Sequence, residues 1–219
     1  MTELELDARG WQSAEDVWNG VLKALGAPAW HGHNLDALND SITGGDLNTV
    51  NAPFRVRLSG LEEATAVARV VAWRMGRLVI DLATEGVQVD WSPVAEGAAA
   101  EAVAALDAFR HAALEKERRI RAGDDSGDAA LHTKMAENLR LLFGLGAAGS
   151  DCIEALLRDD RSQVAAWVAA ELAARREKRG ADVLQSIARL PGPEGFAARV
   201  TLDELHRGRL QSPFGLTSA

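Results

Sequence analysis

Two histidines and two aspartates lie close together in one short segment of the chain, at His31, His33, Asp36 and Asp40. Imidazoles and carboxylates are ligands of zinc and manganese, so residues of these types could bind a metal ion. A spacing of four places Asp36 and Asp40 on one face of a helix, whereas His31 and His33 precede that helix in an irregular turn. We therefore expect no metal site. The alternatives are a solvated acidic face and a surface that binds a cationic partner.

Nucleophilic catalysis would need a serine or cysteine held beside a base. Ser41 follows Asp40, but no histidine or glycine elbow positions its hydroxyl. Cys152, the one cysteine, falls in an apolar helical stripe and is predicted to be a buried small hydrophobe. The sequence also has no glycine loop of the kind that binds phosphate. We predict a protein that is not an enzyme, with no catalytic residues and no cofactor.

A short helix between Asn34 and Gly44 positions the two aspartates. Asn34 is a favourable N-cap, because its side chain can accept a hydrogen bond from the first helical turn, and Gly44 is expected to end the helix in a left-handed conformation. The inward stripe of this helix comprises Leu35, Leu38 and Ile42, and the outward stripe comprises Asp36, Asn39, Asp40 and Thr43. The sequence thus predicts an acidic helix face above an apolar one.

This segment resembles the barstar family of ribonuclease inhibitors. The family pattern is an aromatic pair, Gly, a polar residue, Asn-Leu-Asp-Ala-Leu, a variable position and Asp. Trp30 and His31 stand where the family carries its aromatic pair. The positions that follow the pattern directly are Gly32, Asn34, Leu35, Asp36, Ala37, Leu38, Asp40, Thr43 and Gly44. Asn39 stands at the variable position, where it replaces an aromatic residue.

The resemblance implies that Trp30, Asp36 and Asp40 face a nuclease, with Asp40 entering the active site where substrate phosphate would bind. The third helix of the family supplies a further carboxylate, which an alignment on Glu85-Gly86 assigns to Asp81. The partner-binding surface implied by the resemblance comprises Trp30, His31, Gly32, Asn34, Asp36, Asn39, Asp40, Thr43 and Asp81.

The composition favours a folded, acidic protein. The chain has 219 residues, of which 47% are hydrophobic and 26% charged, and its net charge is −8. Residues 1–95 carry 13 Asp or Glu against 7 Lys or Arg, so most of the excess acid lies in this region. An acidic field repels nucleic acid and attracts basic proteins, so we expect a basic protein partner and no direct nucleic-acid binding.

The cysteine content and the apolar runs of the sequence bear on the location of the protein. A single cysteine fits a reducing compartment, and no signal region or membrane-length apolar run is present, so we expect a cytoplasmic protein that does not contact a membrane.

The basic run from Arg175 to Arg179 is interpreted as a helix C-terminus, where cations meet the negative end of the dipole. A nucleic-acid or phosphate contact remains the alternative for that run.

The periodicity predicts the order β-α-α-β-α-α-β for residues 1–93, with strands near Leu4, Val56 and Val89 and a division of the last helical region at Gly76. Strands separated by helices favour a parallel sheet. Residues 94–127 are predicted to form a connector helix and a linker, and residues 128–219 an α-helical domain. The piece from Ile153 to Trp167 resembles a HEAT-type repeat. The predicted fold is therefore α/β, a barstar-like three-stranded parallel sheet with helices, followed by an all-α, repeat-like domain.

These observations predict a bacterial immunity or antitoxin protein that blocks the active site of a basic nuclease toxin, a ribonuclease by the resemblance, through its acidic helix. The alternative is a non-inhibitory interaction scaffold in which the helical domain is the working part. Asn39, in place of the family aromatic, keeps that alternative open. The oligomeric state stays undetermined by the sequence.

Overall fold

The computed structural model of the chain describes residues 1–124 and 126–216. The chain forms two compact units, Met1–Val103 and a second from Ala104 onward. The elements of the first unit are β1 (Thr2–Asp7), α1 (Ala14–Leu25), α2 (Leu35–Thr43), β2 (Phe54–Ser59), a 3₁₀ turn (Leu61–Glu63), α3 (Ala66–Thr84) and β3 (Val89–Ser92). The predicted α/β fold, followed by a helical region, is confirmed.

The division between the units falls within helix α4, Ala98–Ala122. The domain limits expected near residues 93 and 127, and the connector between them, remain predictions. Asp125 of the predicted linker lies outside the described residues.

The sheet of the first unit has the strand order β1-β2-β3, and all three strands are parallel. The central strand β2 buries Phe54, Val56 and Leu58, and the register pairs Phe54 with Val89 and Val56 with Trp91. Helix α1 packs on β1 and α3, and α3 packs on β3. The helices therefore cover the apolar face of the sheet, as the alternation of apolar and polar residues predicts.

The opposite face of the sheet is charged. Arg55 lies in one row with Glu3 and Asp90, and its Nε donates to the Asp90 carboxylate at 2.6 Å. Arg57 Nε donates to Glu3 at 2.9 Å. These ion pairs join all three strands on a face that is only partly buried, so they can remain charged without a large desolvation cost.

Helix α1 begins with a capping box formed by Ser13 and Asp16. Ser13 Oγ accepts a hydrogen bond from the Asp16 backbone N–H, and the Asp16 carboxylate accepts one from the Ser13 backbone N–H at 2.9 Å. Hydrogen bonds from the Gln12 backbone and from Ser13 lower the pKa of Asp16. Gly26, at a φ of 62°, ends the helix in the left-handed conformation.

Helix α3 shows that the predicted division at Gly76 was wrong. The helix is continuous, and Gly76 lies inside it and is buried. A Cβ atom at this position would lie 2.7 Å from Cδ1 of Trp91 on β3. Gly76 therefore allows a close approach of helix and sheet, which a sequence pattern cannot distinguish from a helix break.

The second unit contains α5 (Asp128–Gly144), α6 (Gly146–Leu157), α7 (Ser162–Ala174), α8 (Lys178–Ile187) and α9 (Pro193–His206). Successive helices pack on one another, and α7 also contacts α9. Arg110 of α4 donates to Asp159 at 2.6 Å and to Asp160 at 2.9 Å, in the turn between α6 and α7. None of the helices in the described residues is both long and apolar enough to cross a membrane. The resemblance to HEAT repeats stays a prediction.

The contact between Gly76 and Trp91 generates a stability prediction. Gly76→Ala would improve helix propensity by about 1 kcal/mol, but overpacking of this kind costs about 1–3 kcal/mol. We expect the overpacking to outweigh the propensity gain, with a net loss of up to about 2 kcal/mol in the free energy of unfolding, measured by urea titration. Gly10→Ala is the matched control, because a Cβ at Gly10 meets nothing within 4 Å. A Gly76→Ala variant as stable as the control would show that the close approach is not a constraint.

The capping box generates a prediction of pH dependence. Because the pKa of Asp16 is lowered in the folded state, its contribution to stability is present above its unfolded pKa and is lost as the pH falls through its folded pKa. We expect the Asp16→Asn variant to lose less stability than the parent between about pH 5 and about pH 2. Urea titrations across this range measure the difference. Parallel curves for the two proteins would contradict the assignment.

Candidate functional site

Helix α2 holds its two faces in different environments. The Asn34 side chain caps the helix by accepting a hydrogen bond from the Ala37 backbone N–H at 2.8 Å, as the sequence predicts. Leu38 and Ile42 are buried, at 1% and 7% exposure, while Leu35 is half-buried. Because one face is fixed in the core, the direction of the opposite face is fixed as well.

The end of α2 differs from the prediction. Gly44 was expected to be left-handed, but its φ is −74°, and the left-handed residues are Gly45 and Asp46. The Gly44 N–H donates to the Asp40 carbonyl at 2.8 Å, and a Cβ at Gly44 would lie 2.7 Å from that oxygen. Glycine is therefore required here by a close backbone approach and not by a positive φ.

The outward face of α2 presents two exposed carboxylates, those of Asp36 and Asp40. Within residues 1–124 and 126–216 neither carboxylate has a cationic partner, and Asp40 accepts only a 3.5 Å contact from the Asn39 side-chain amide. Thr43 Oγ1 donates to the Asn39 carbonyl at 2.9 Å. The helix dipole favours Asp36 in the first turn more than Asp40. The arrangement leaves two negative charges on a rigid support, available to a cation from outside the chain.

Trp30 lies in a turn before this helix and is 73% exposed. The Pro28 carbonyl accepts a hydrogen bond from the His31 N–H at 2.9 Å, which closes the turn. His31 itself is buried, with only 6% exposure. An indole so exposed adds little to the core, so its position suits contact with a partner.

The two histidines of this turn point to different surroundings. His31 Nδ1 lies 2.8 Å from the Gly32 carbonyl, whereas the His33 ring stacks on Trp18 at a centroid distance of 6.1 Å. His33 Nδ1 also lies 2.9 Å from a Glu15 carboxylate oxygen on α1. His33 is exposed despite these contacts, and its stack on Trp18 is a contact that the sequence did not predict. No group of three or more His, Cys, Asp or Glu in the described parts of the chain could hold a metal ion.

Three residues near the turn and helix support them from within. Ser41 is fully buried and its hydroxyl donates to the Leu38 carbonyl at 3.0 Å. The buried Asn48 side-chain amide donates to the Ser41 carbonyl at 3.2 Å and ties the following loop to α2. A Cβ at Gly32 would lie 2.9 Å from the Asn34 amide nitrogen and would press on the cap. Asn48 carried no signal in the sequence beyond its place in a polar loop.

Asp81 lies in the last turns of α3, and its side chain is exposed. Helix α3 packs against α2, so Asp81 belongs to a neighbouring element of the acidic face. A carboxylate near the C-terminal end of a helix is disfavoured by the helix dipole. Its placement therefore brings no evident benefit to the helix itself.

The remaining candidates of the sequence lie in the second unit. Cys152 is buried, as predicted for a small hydrophobe in a helical stripe. Arg175 follows the end of α7, its Nε lies 3.4 Å from the buried Glu171 carboxylate, and its guanidinium lies 3.9 Å from the Phe143 ring centroid. Arg179 pairs with Glu177 at 2.9 Å. These contacts give two residues of the basic run structural roles. Because α8 begins at Lys178, the interpretation of the whole run as one helix C-terminus was wrong.

One of three comparisons with known proteins found a match. Residues 1–91 match the family model described as Barstar (barnase inhibitor), so the first unit carries a barstar-family domain. Members of this family are inhibitors that bind ribonucleases. Neither a search of curated proteins nor one of solved structures found a match to the chain. The matched region includes every residue of α2, the Trp30 turn and α3.

The cap of α2 generates a prediction. Asn34→Ala removes the hydrogen bond to the Ala37 N–H and should lower the free energy of unfolding by about 0.5–2 kcal/mol. Asn34→Gly should cost only a few tenths of a kcal/mol, because glycine caps tolerably through its backbone. Urea titration compares the two variants with the parent. Equal losses for alanine and glycine would show that the side-chain hydrogen bond does not stabilise α2.

Proposed function

We propose that this chain is a bacterial immunity or antitoxin protein that binds a basic nuclease toxin, a ribonuclease, and blocks its active site with α2. One observation carries the proposal: the barstar-family unit presents Asp36 and Asp40 exposed and without a cationic partner in the described residues, on a helix whose other face is buried. The proposed location is the cytoplasm, where such a protein would protect the cell that makes the toxin.

Inhibition proceeds by electrostatic mimicry. The active site of a nuclease binds a phosphate, so it presents Arg or Lys groups that also accept a carboxylate. Asp40 occupies this phosphate position, and Asp36 pairs with a cation beside it. Because α2 is held by its cap and its buried face, the two carboxylates reach the nuclease without first having to be ordered.

Other residues divide into contacts and supports. Trp30 packs on the nuclease as an aromatic anchor, and Asp81 on α3 contributes a further carboxylate. Asn39 also faces the partner, in the place of the family aromatic. The supports hold these contacts in place from behind or from the side, and they are His31, Gly32, Asn34 and Thr43.

Long-range electrostatics also favours a basic partner. The acidic excess of residues 1–95 creates a negative field around the unit that carries α2. Such a field accelerates the encounter with a positively charged protein, and added salt weakens the effect. It also repels RNA, so inhibitor and substrate do not bind each other.

The competing proposal is an interaction scaffold that does not inhibit a nuclease. One observation favours it: Asn39 replaces an aromatic residue in the middle of the acidic face and approaches Asp40 at 3.5 Å. An amide offers less apolar contact area than an aromatic ring. If inhibition needs that ring, the chain would bind nucleases weakly, and the helical unit would be the working part.

Replacing Asp40 tests the proposal. Asp40→Asn leaves the cationic groups of the nuclease unpaired, which should cost about 2–5 kcal/mol of binding free energy, seen mainly as faster dissociation. This range of binding free energies is a general one, and measurements on barnase and its inhibitor are among the examples behind it. The measurement is binding kinetics and inhibition of RNA cleavage, with barnase as a family probe and with any nuclease whose gene adjoins that of this chain. Added salt should chiefly slow association.

Asp46→Asn is the matched control, because it removes the same charge from an exposed aspartate outside α2, at a φ of 60° that asparagine tolerates. It should bind nearly as tightly as the parent. Asp40→Asn should be as stable as the parent, since it relieves repulsion with Asp36 on an exposed face. Equal affinity of the two variants would overturn the blockade by α2, and failure of the parent to inhibit either nuclease would favour the scaffold.

A further inference from the structure

A groove of about 470 Å³ lies on the second unit, between the ends of α6 and α7 and one side of α8. Its apolar wall includes Leu157, Val183, Ile187 and Leu190, and Leu190 is 40% exposed. The volume lies in the range of sites that hold small ligands or a few side chains. Leu157 and Ile187 are buried at the base of this wall, so its exposed apolar surface comes from Leu190 and, in part, from Val183.

The rim of this groove is acidic. Asp159, Asp160 and Asp182 all line it, and Arg110 pairs with the first two. No ion pair of Asp182 occurs within the described ranges 1–124 and 126–216. Asp182 thus remains the carboxylate of this rim without an ion pair in the described residues, and it places a negative charge beside the apolar wall.

We propose that this groove binds a short segment of a partner protein in which a Lys or Arg side chain lies next to a large aliphatic side chain. The aliphatic group packs on Leu190, Val183 and Ile187, and the cation pairs with Asp182. This site lies outside the barstar-family domain and does not depend on the acidic face of α2.

The chemistry favours a polypeptide segment over a free cation. A free polyamine would gain from the carboxylates but would leave the apolar wall in contact with water. A purely aliphatic segment would gain from the wall but would leave Asp182 without a partner. Only a ligand with both groups, a few ångströms apart, complements the whole groove, and adjacent side chains of a peptide provide that spacing.

The test uses the full chain and the peptide acetyl-Gly-Leu-Lys-Ile-Lys-Gly-amide as the probe. Methyl NMR titrations follow Val183, Ile187 and Leu190, whose signals should shift most. Leu190→Ser should weaken binding about tenfold, because burial of the leucine side chain is lost. Asp182→Asn should weaken it about threefold, as for an exposed ion pair.

Two control variants remove the same groups elsewhere on the second unit. Leu141→Ser removes a leucine of α5 that is 37% exposed, and Glu137→Gln removes an exposed carboxylate of α5. Neither residue lines the groove, so neither variant should change the affinity. Asp40→Asn should also bind the peptide like the parent, which separates this test from that of the proposed function.

Several results would overturn the inference. They are the absence of peptide binding, equal loss of affinity in the control variants, and equal binding of a peptide in which both lysines are replaced by glutamate. Equal binding of a peptide with serine in place of leucine and isoleucine would show that the groove attracts any cation. Complete displacement of the peptide by an equal concentration of spermidine would lead to the same conclusion.

Discussion

The packing of one face of α2 into the core of the first unit is the constraint on which the acidic surface depends. Two aspartates four residues apart repel each other, so this pair of charges does not stabilise the helix. The burial of Leu38 and Ile42 and the cap at Asn34 provide the stability instead. The residues that stabilise the helix are therefore different from the two aspartates that remain free to bind a partner.

The turn before α2 follows the same principle. His31 is buried on one side of Gly32, and His33 stacks on Trp18 on the other. These two anchors hold the turn, so that Trp30 can extend into solvent without making the backbone mobile. A partner that covers the indole would then not have to order the loop first, and this lowers the entropic cost of binding.

Buried carboxylates and the exposed carboxylates of α2 have opposite requirements. In the second unit, the largely buried Asp159 accepts from Arg110, and the fully buried Glu171 accepts from Ser212 at 2.6 Å. A buried charge must find such partners, because desolvation without them is costly. On α2 the carboxylates stay in water, so they can remain unpaired at little cost and keep their full attraction for an external cation.

The sequence by itself determined the features that depend on neighbours along the chain. The capping box at Ser13, the cap at Asn34 and the inward stripe of α2 follow from spacings within one or two helical turns. The parallel direction of the strands follows from the helices that separate them along the chain. Tertiary structure decided what depends on contacts between distant segments. Gly76 lies close to the Trp91 ring, the His33 ring stacks on Trp18, and the Asn48 side chain donates a hydrogen bond to the Ser41 carbonyl. A sequence pattern shows which residue types recur but not which atoms lie close together in the folded chain. For that reason Gly76 was predicted as a helix break, and the groove beside Asp182 was not predicted at all.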